Sequence, residues 1–218
     1  VWTEVSDLDV ARNQLGGAGI STAALAFAGS PSTADAEQWN GSNWTEVADM
    51  NTARYALGSG GLYTSAVAMG GEPKTGKTEL YDGTSWTEVT DMNTARQTLG
   101  GTATNNTSGL ACGGDAPPGS PSYTAATELF TGAGADIGAW ATSTSVNTGR
   151  TDVEGAGSSA EAALIFGGSV PGTGVVDNTE SWNGSAWTEV NDMNTARNGF
   201  AGNGTSTSAL GYGQDDPA

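Results

Sequence analysis

Short apolar runs, most of them small residues, alternate along the chain with Gly-, Asn- and Ser/Thr-rich breaks. No stretch shows the 3.6-residue periodicity of a helix, and Val, Thr, Trp and Tyr in the runs with Gly at the breaks predict β structure throughout. The runs "AALAFAG", "SAVAMGG", "SGLACGG", "AALIFGG" and "SALGYG" read as strands ending on Gly. Four of them are followed by a Glu and, two residues later, an aromatic: Glu37/Trp39, Glu79/Tyr81, Glu128/Phe130 and Glu180/Trp182.

These runs are copies of one unit, and repeats decide the fold before any local reading does. "WTEV" begins at Trp2, Trp44, Trp86 and Trp187, with a degenerate "WATS" at Trp140, so the Trp spacings are 42, 42, 54 and 47 residues. Ten residues after each Trp stands an Arg (Arg12, Arg54, Arg96, Arg150 and Arg197), and these are all the Arg residues of the chain. The link reads "DMNTAR" three times, with "DLDVAR" and "SVNTGR" as variants. Each repeat predicts four strands: A from the Arg, B the run ending in Gly, C the Glu-x-aromatic segment, and D the Trp-Thr-Glu-Val segment. "NGSN", "DGTS" and "NGSA" between C and D are hairpin turns. One such sheet cannot bury both faces, whereas copies stacked around an axis can, which predicts a β-propeller. Small residues on A and B suit the crowded axis, and the strand-D Trp suits the wide outer gap between blades.

"AVAMGG", "TELYDG", "SWTEV" and "DMNTAR" in residues 66–96 together resemble the kelch repeat of galactose-oxidase-type propellers. The dialect "ESWNGSAWTEVNDMNTARNGF" also resembles kelch-like arrays of marine bacteriophages, found in or beside tail and virion-structural genes. The chain is therefore expected to be all-β, a single kelch-like domain over residues 1–218. Its parts amount to five A, five B and five D strands but four C strands. It opens on a lone D (Trp2–Val5) and stops just after the last B. The expectation is five blades with the N-terminal strand completing the last one. A six- or seven-bladed parent, of which this chain is an excerpt, is the alternative.

Composition narrows function. Of 218 residues 34 are Gly, and the formal net charge is −17 with seven basic residues, so phosphate backbones are repelled and nucleic acid is not an expected partner. No apolar run is long enough to span a bilayer, so no membrane insertion is expected. The chain has no His, which removes His-based acid–base catalysis and the usual copper, zinc and iron ligand sets. No cofactor, metal or catalytic residue is expected. Cys112 holds the slot that Phe27, Met69, Phe166 and Tyr212 hold in the other blades, so it reads as a core residue. The carboxylates repeat in every blade, as Glu4, Glu46, Glu88 and Glu189 do on strand D, and read as solvated edges or structural partners. Asn40, Asn43 and Asn183 match glycosylation sequons, but turn chemistry already accounts for Asn-Gly. The acids Asp115, Asp215 and Asp216 give only a weak calcium signal.

In an up-and-down blade the D–A and B–C connections share one face, and the A–B and C–D turns share the other. The five Arg are expected to ring the first face near the channel, locking the D–A loops through carboxylate or carbonyl partners. They and Trp2, Trp44, Trp86, Trp140 and Trp187 are the structural residues of the repeat. The resemblance implies that partners bind this face near the start of strand A. There the residue after each Arg varies: Asn13, Tyr55, Gln97, Thr151 and Asn198. The B–C loops vary too, with 8, 8, 14 and 12 residues from Gly to Glu, and the longest carries Tyr123. These six are the candidate ligand-binding residues. The functional expectation is a non-catalytic binding or virion-structural propeller, a phage appendage contacting a host-surface glycan or protein. A secreted bacterial carbohydrate-binding or adhesion propeller is the alternative. The location is virion or extracellular in either case, and the partners are other virion or cell-surface proteins or a glycan.

Overall fold

The computed structural model describes residues 3–117, 123–132 and 139–213. Trp2, the tip of the third B–C loop, most of the insertion before Trp140, and Asp215 and Asp216 lie outside that range. Each described repeat folds as an antiparallel sheet in chain order. Blade one is β1 (Gly16–Ile20), β2 (Ala23–Phe27), β3 (Ala36–Trp39) and β4 (Trp44–Glu46); blade two is β5 (Gly58–Leu62), β6 (Ser65–Met69), β7 (Thr78–Tyr81) and β8 (Trp86–Val89). Blade three is β9 (Gly100–Asn105), β10 (Ser108–Cys112), β11 (Thr127–Thr131) and β12 (Ala139–Ser143). In blade four, β13 (Glu154–Ser159) and β14 (Ala162–Phe166) pair with β17 (Thr179–Trp182) and β18 (Trp187–Glu189). A small hairpin, β15 (Ser169–Val170) with β16 (Gly174–Val175), folds within its B–C connection. The fifth sheet holds β19 (Ala201–Thr205) and β20 (Ser208–Tyr212).

The inner strands β1, β5, β9, β13 and β19 touch in succession around the axis. They approach so closely that a Cβ on Gly60 would collide with the Ala103 nitrogen, and one on Gly101 would lie 2.7 Å from the Ser59 nitrogen. Only Gly permits that approach, which is why the A strands are so poor in side chains. Outward, the core is a series of layers between successive blades. Trp86 of blade two lies 4.9 Å, ring to ring, from Phe27 of blade one. Trp140 and Trp187 send their indole N–H groups back to Thr78 and Thr127 of the preceding blade, at 3.0 and 3.1 Å. The Asn-Gly and Asp-Gly turns form as expected: Asn40 Oδ1 accepts the N–H of Ser42 and Asn43, and Asp82 Oδ1 those of Thr84 and Ser85.

Two expectations are corrected. Strand A does not begin at the Arg but four residues later, because the second residue past each Arg leaves the ladder to bond the neighbouring blade. Thr3–Val5 forms no strand and does not pair with β20. Ser6 bonds the Ser42 carbonyl and the Asp9 N–H bonds Glu37, as Thr144 bonds Ser185 and Asn147 bonds Glu180, so this segment makes the contacts that a D–A link makes with the blade after it. Among the described residues the last layer is thin, with Ala156, Phe166 and Phe200 buried there, against eight to ten in each of the others.

Candidate functional site

The candidate face is built from the D–A loops inward. Arg54, Arg96 and Arg150 are fully buried, and their guanidinium groups reach Glu79, Glu128 and Glu180 of the same blade at 2.6, 3.0 and 3.1 Å. Arg12 meets Glu37 at 2.9 Å. Burial lowers the pKa of Arg54, Arg96 and Arg150, and the paired Glu opposes that shift. The second carboxylate oxygen of each Glu accepts a main-chain N–H three residues before an Arg, from Asp9, Asn51, Asn93 and Asn147. One carboxylate thus pins both the Arg and the loop leading into it. These Arg side chains lie beneath the face rather than on it, so they are not available to a ligand. Arg197 is the exception: it is partly exposed and donates to the Gly213 carbonyl.

The residues after the Arg form the rim. Asn13, Tyr55, Gln97 and Thr151 each make an antiparallel bridge to the residue following the strand-B glycines, namely Ser30, Glu72, Asp115 and Ser169. Tyr123 bridges to Asp115 from the other side, so the main chains of Gln97 and Tyr123 flank Asp115, with Tyr55 one blade away. Lys74 crosses from blade two to Asp115 at 2.8 Å. The amide of Asn198 donates to Ser169 Oγ at 2.8 Å. Asn13 is exposed, Tyr55, Gln97, Tyr123 and Asn198 are partly exposed, and Thr151 is buried, its hydroxyl donating to Asp152. Thr151 is thus the candidate least able to meet a ligand. The carbonyl oxygens of Gln97 and Asn198 are buried acceptors without a donor.

One step further in, Gln14, Ala56, Thr98, Asp152 and Gly199 all adopt φ between 49° and 58°. Their main chains form a belt: Ala56 N–H donates to Gln14 O (2.9 Å), Thr98 to Ala56 (2.8 Å), Asp152 to Thr98 (3.0 Å) and Gly199 to Asp152 (3.3 Å). Four of the five hold a left-handed conformation without being Gly, a strained choice that persists where the surroundings enforce it. The rim residues therefore stand between two fixed backbone contacts. The sequence reading missed this belt, and missed Glu72 and Asp152 as rim members. Their shared signal, the position after the glycines and the second after the Arg, was present in each repeat.

Cys112 is buried at 1% exposure and its thiol is pushed up to about 12 by desolvation, so it stays protonated. Glu154, where three blades carry Gly, is likewise raised to about 8 by burial. Among the described residues no cluster of His, Cys, Asp and Glu is arranged to hold a metal ion.

No protein-family model and no curated protein sequence matches the chain. Solved structures do: the structure of YjhT superposes with a TM-score of 0.77 over 100% of this chain and 81% of its own, at 12% identity. Likeness at that identity shows the fold alone. The fold is a kelch-type β-propeller of four-stranded blades.

Proposed function

We propose that the chain is a non-catalytic recognition module that binds a polar surface, glycan or protein, through the rim of Asn13, Tyr55, Gln97, Tyr123 and Asn198. The observation that carries this reading is the contrast between a fixed frame and a varied rim. The belt and the buried Arg–Glu pairs repeat from blade to blade, while the residue between them varies among amides, a tyrosine and a threonine. Amides and a tyrosine ring on a rigid support suit sugar hydroxyls and peptide backbones. The formal charge of −17 argues against polyanionic ligands. The setting we infer is a virion appendage or another extracellular surface, in contact with virion or cell-surface proteins.

The test is a binding screen of the chain on arrayed glycans and on intact cells, with the retained glycan analysed after incubation. Retention without chemical change is the expected result. A cleaved or otherwise altered glycan would replace this reading with a catalytic one.

A further inference from the structure

Four Asn-Gly pairs stand in the sequence, at Asn40, Asn183, Asn198 and Asn203, and the fold holds them differently. Asn40 and Asn183 open the exposed C–D turns of blades one and four, each followed by a glycine, at φ of 95° and 92°. Each side-chain oxygen is held by two main-chain N–H groups. Ser42 and Asn43 donate to Asn40 at 2.9 Å each, and Ser185 and Ala186 donate to Asn183 at 3.0 and 2.9 Å. Blade two has the same turn with an acid in place of the amide. Asp82 Oδ1 accepts the N–H groups of Thr84 and Ser85, both at 2.8 Å, and Gly83 follows at φ of 93°. Asn198 is partly buried; its amide nitrogen donates to Ser169 Oγ at 2.8 Å, and the Gly199 N–H donates to the Asp152 carbonyl. Asn203 and Gly204 are fixed in the β19 ladder opposite Leu210 and Ala209.

We propose that Asn40 and Asn183 are sites of self-modification, each converting to aspartate through a cyclic imide, and that the blades accept the product without change of fold. In the first step the glycine nitrogen attacks the side-chain carbonyl carbon of the Asn. The bond from that carbon to Nδ2 breaks, and Nδ2 leaves as ammonia, taking the proton of the glycine amide. Glycine has no Cβ to obstruct the attack. The two N–H groups on Oδ1 stabilise the charge that develops there. Water then opens the imide: cleavage of the new bond gives aspartate, and cleavage of the old peptide bond gives isoaspartate. Aspartate fits because Asp82 already fills this turn. The main chain closes it alike in all three blades, Asn40 N–H on the Asn43 carbonyl, Asp82 on Ser85 and Asn183 on Ala186. Hydrogen bonds from Ser85 and Thr84 hold the Asp82 carboxyl below its ordinary pKa, so such a product stays ionised and is a poor target for renewed attack. At Asn198 the attacking and the leaving nitrogen are both engaged in hydrogen bonds, which opposes the same step. Both turns lie on the face opposite the rim, so the conversion leaves the proposed binding residues untouched.

The folded chain and a urea-denatured sample are incubated at neutral pH, and the acid fraction at each site is followed by peptide mass spectrometry. In the folded chain Asn40 and Asn183 should convert at least about tenfold faster than Asn198 and Asn203, the scale set by a hydrogen bond that must first be broken. In urea the four rates should converge, because each of these Asn precedes Gly. An Asn40→Asp/Asn183→Asp chain should melt at or above the wild-type temperature, since the carboxylates accept the same N–H groups in stronger, charge-assisted bonds. Absence of conversion at Asn40 and Asn183 in the folded chain, or equal rates at all four sites there, overturns the proposal. A lower melting temperature of the double variant overturns its second half, the acceptance of aspartate by the turns.

Discussion

Trp86 shows how far a single residue can be argued. Its indole nitrogen is buried without a partner, whereas Trp140 and Trp187 find a Thr. The difference is Ala36, which begins β3 where Thr78 and Thr127 begin theirs. Ala36→Thr should raise stability by about 1 kcal/mol by supplying that acceptor, read from denaturant midpoints. A loss would mean the hydroxyl does not fit. The same reasoning with opposite sign applies to Arg96, whose removal leaves Glu128 buried. Arg96→Ala should cost about 3–5 kcal/mol, where an exposed Arg would cost almost nothing. Cys112→Ala should cost about 1 kcal/mol and leave binding intact, the thiol being a small core group. Glu154 gives a pH dependence. Its folded pKa of about 8 lies above the ordinary 4.5, so its contribution to stability is full below 4.5 and is lost as pH rises through 8. Relative to Glu154→Gln, the wild-type melting temperature should therefore fall across that window. Parallel curves would show that the carboxyl is solvated.

At the scale of elements, strands B, C and D of the blades could be read from the sequence because each carries its own signal. A run ending in Gly, a Glu-x-aromatic and a Trp after an Asn-Gly or Asp-Gly turn are local patterns that the sheet then uses. Strand A was misplaced by four residues for a physical reason. The second residue past each Arg bonds its counterpart in a neighbouring blade, and a left-handed Ala or Thr such as Ala56 or Thr98 announces nothing in sequence. The β15–β16 hairpin was equally silent, being two residues a side. The rim was legible as variable positions, but its rigidity was not. The unequal layers also predict unequal dynamics. Amide exchange of β19 and β20 should be faster than that of β5 and β9, since the fifth layer buries so little. Uniform protection would show that the fifth sheet is as well supported as the rest.

For the molecule as a whole, the proposed function separates support from recognition. Inter-blade layers of Trp, Phe and Met hold the blades together, buried Arg–Glu pairs fix the loops, and the backbone belt aligns the rim. The opposite face is made of Asx turns at Asn40, Asp82 and Asn183 that use their own side chains internally. Recognition is thereby assigned to one face, and that assignment is the central claim. Its most direct measurement is the affinity of Tyr55→Ala/Tyr123→Ala for the glycan or cell surface that the wild-type chain retains, beside a chain altered at Ser42 and Ser185 in the opposite turns. The account predicts that the Tyr changes weaken binding at least about tenfold with little change in melting temperature, while the turn changes leave binding unaltered. Unchanged binding after the Tyr replacements, with loss on altering the turns, would place recognition on the other face and contradict the account.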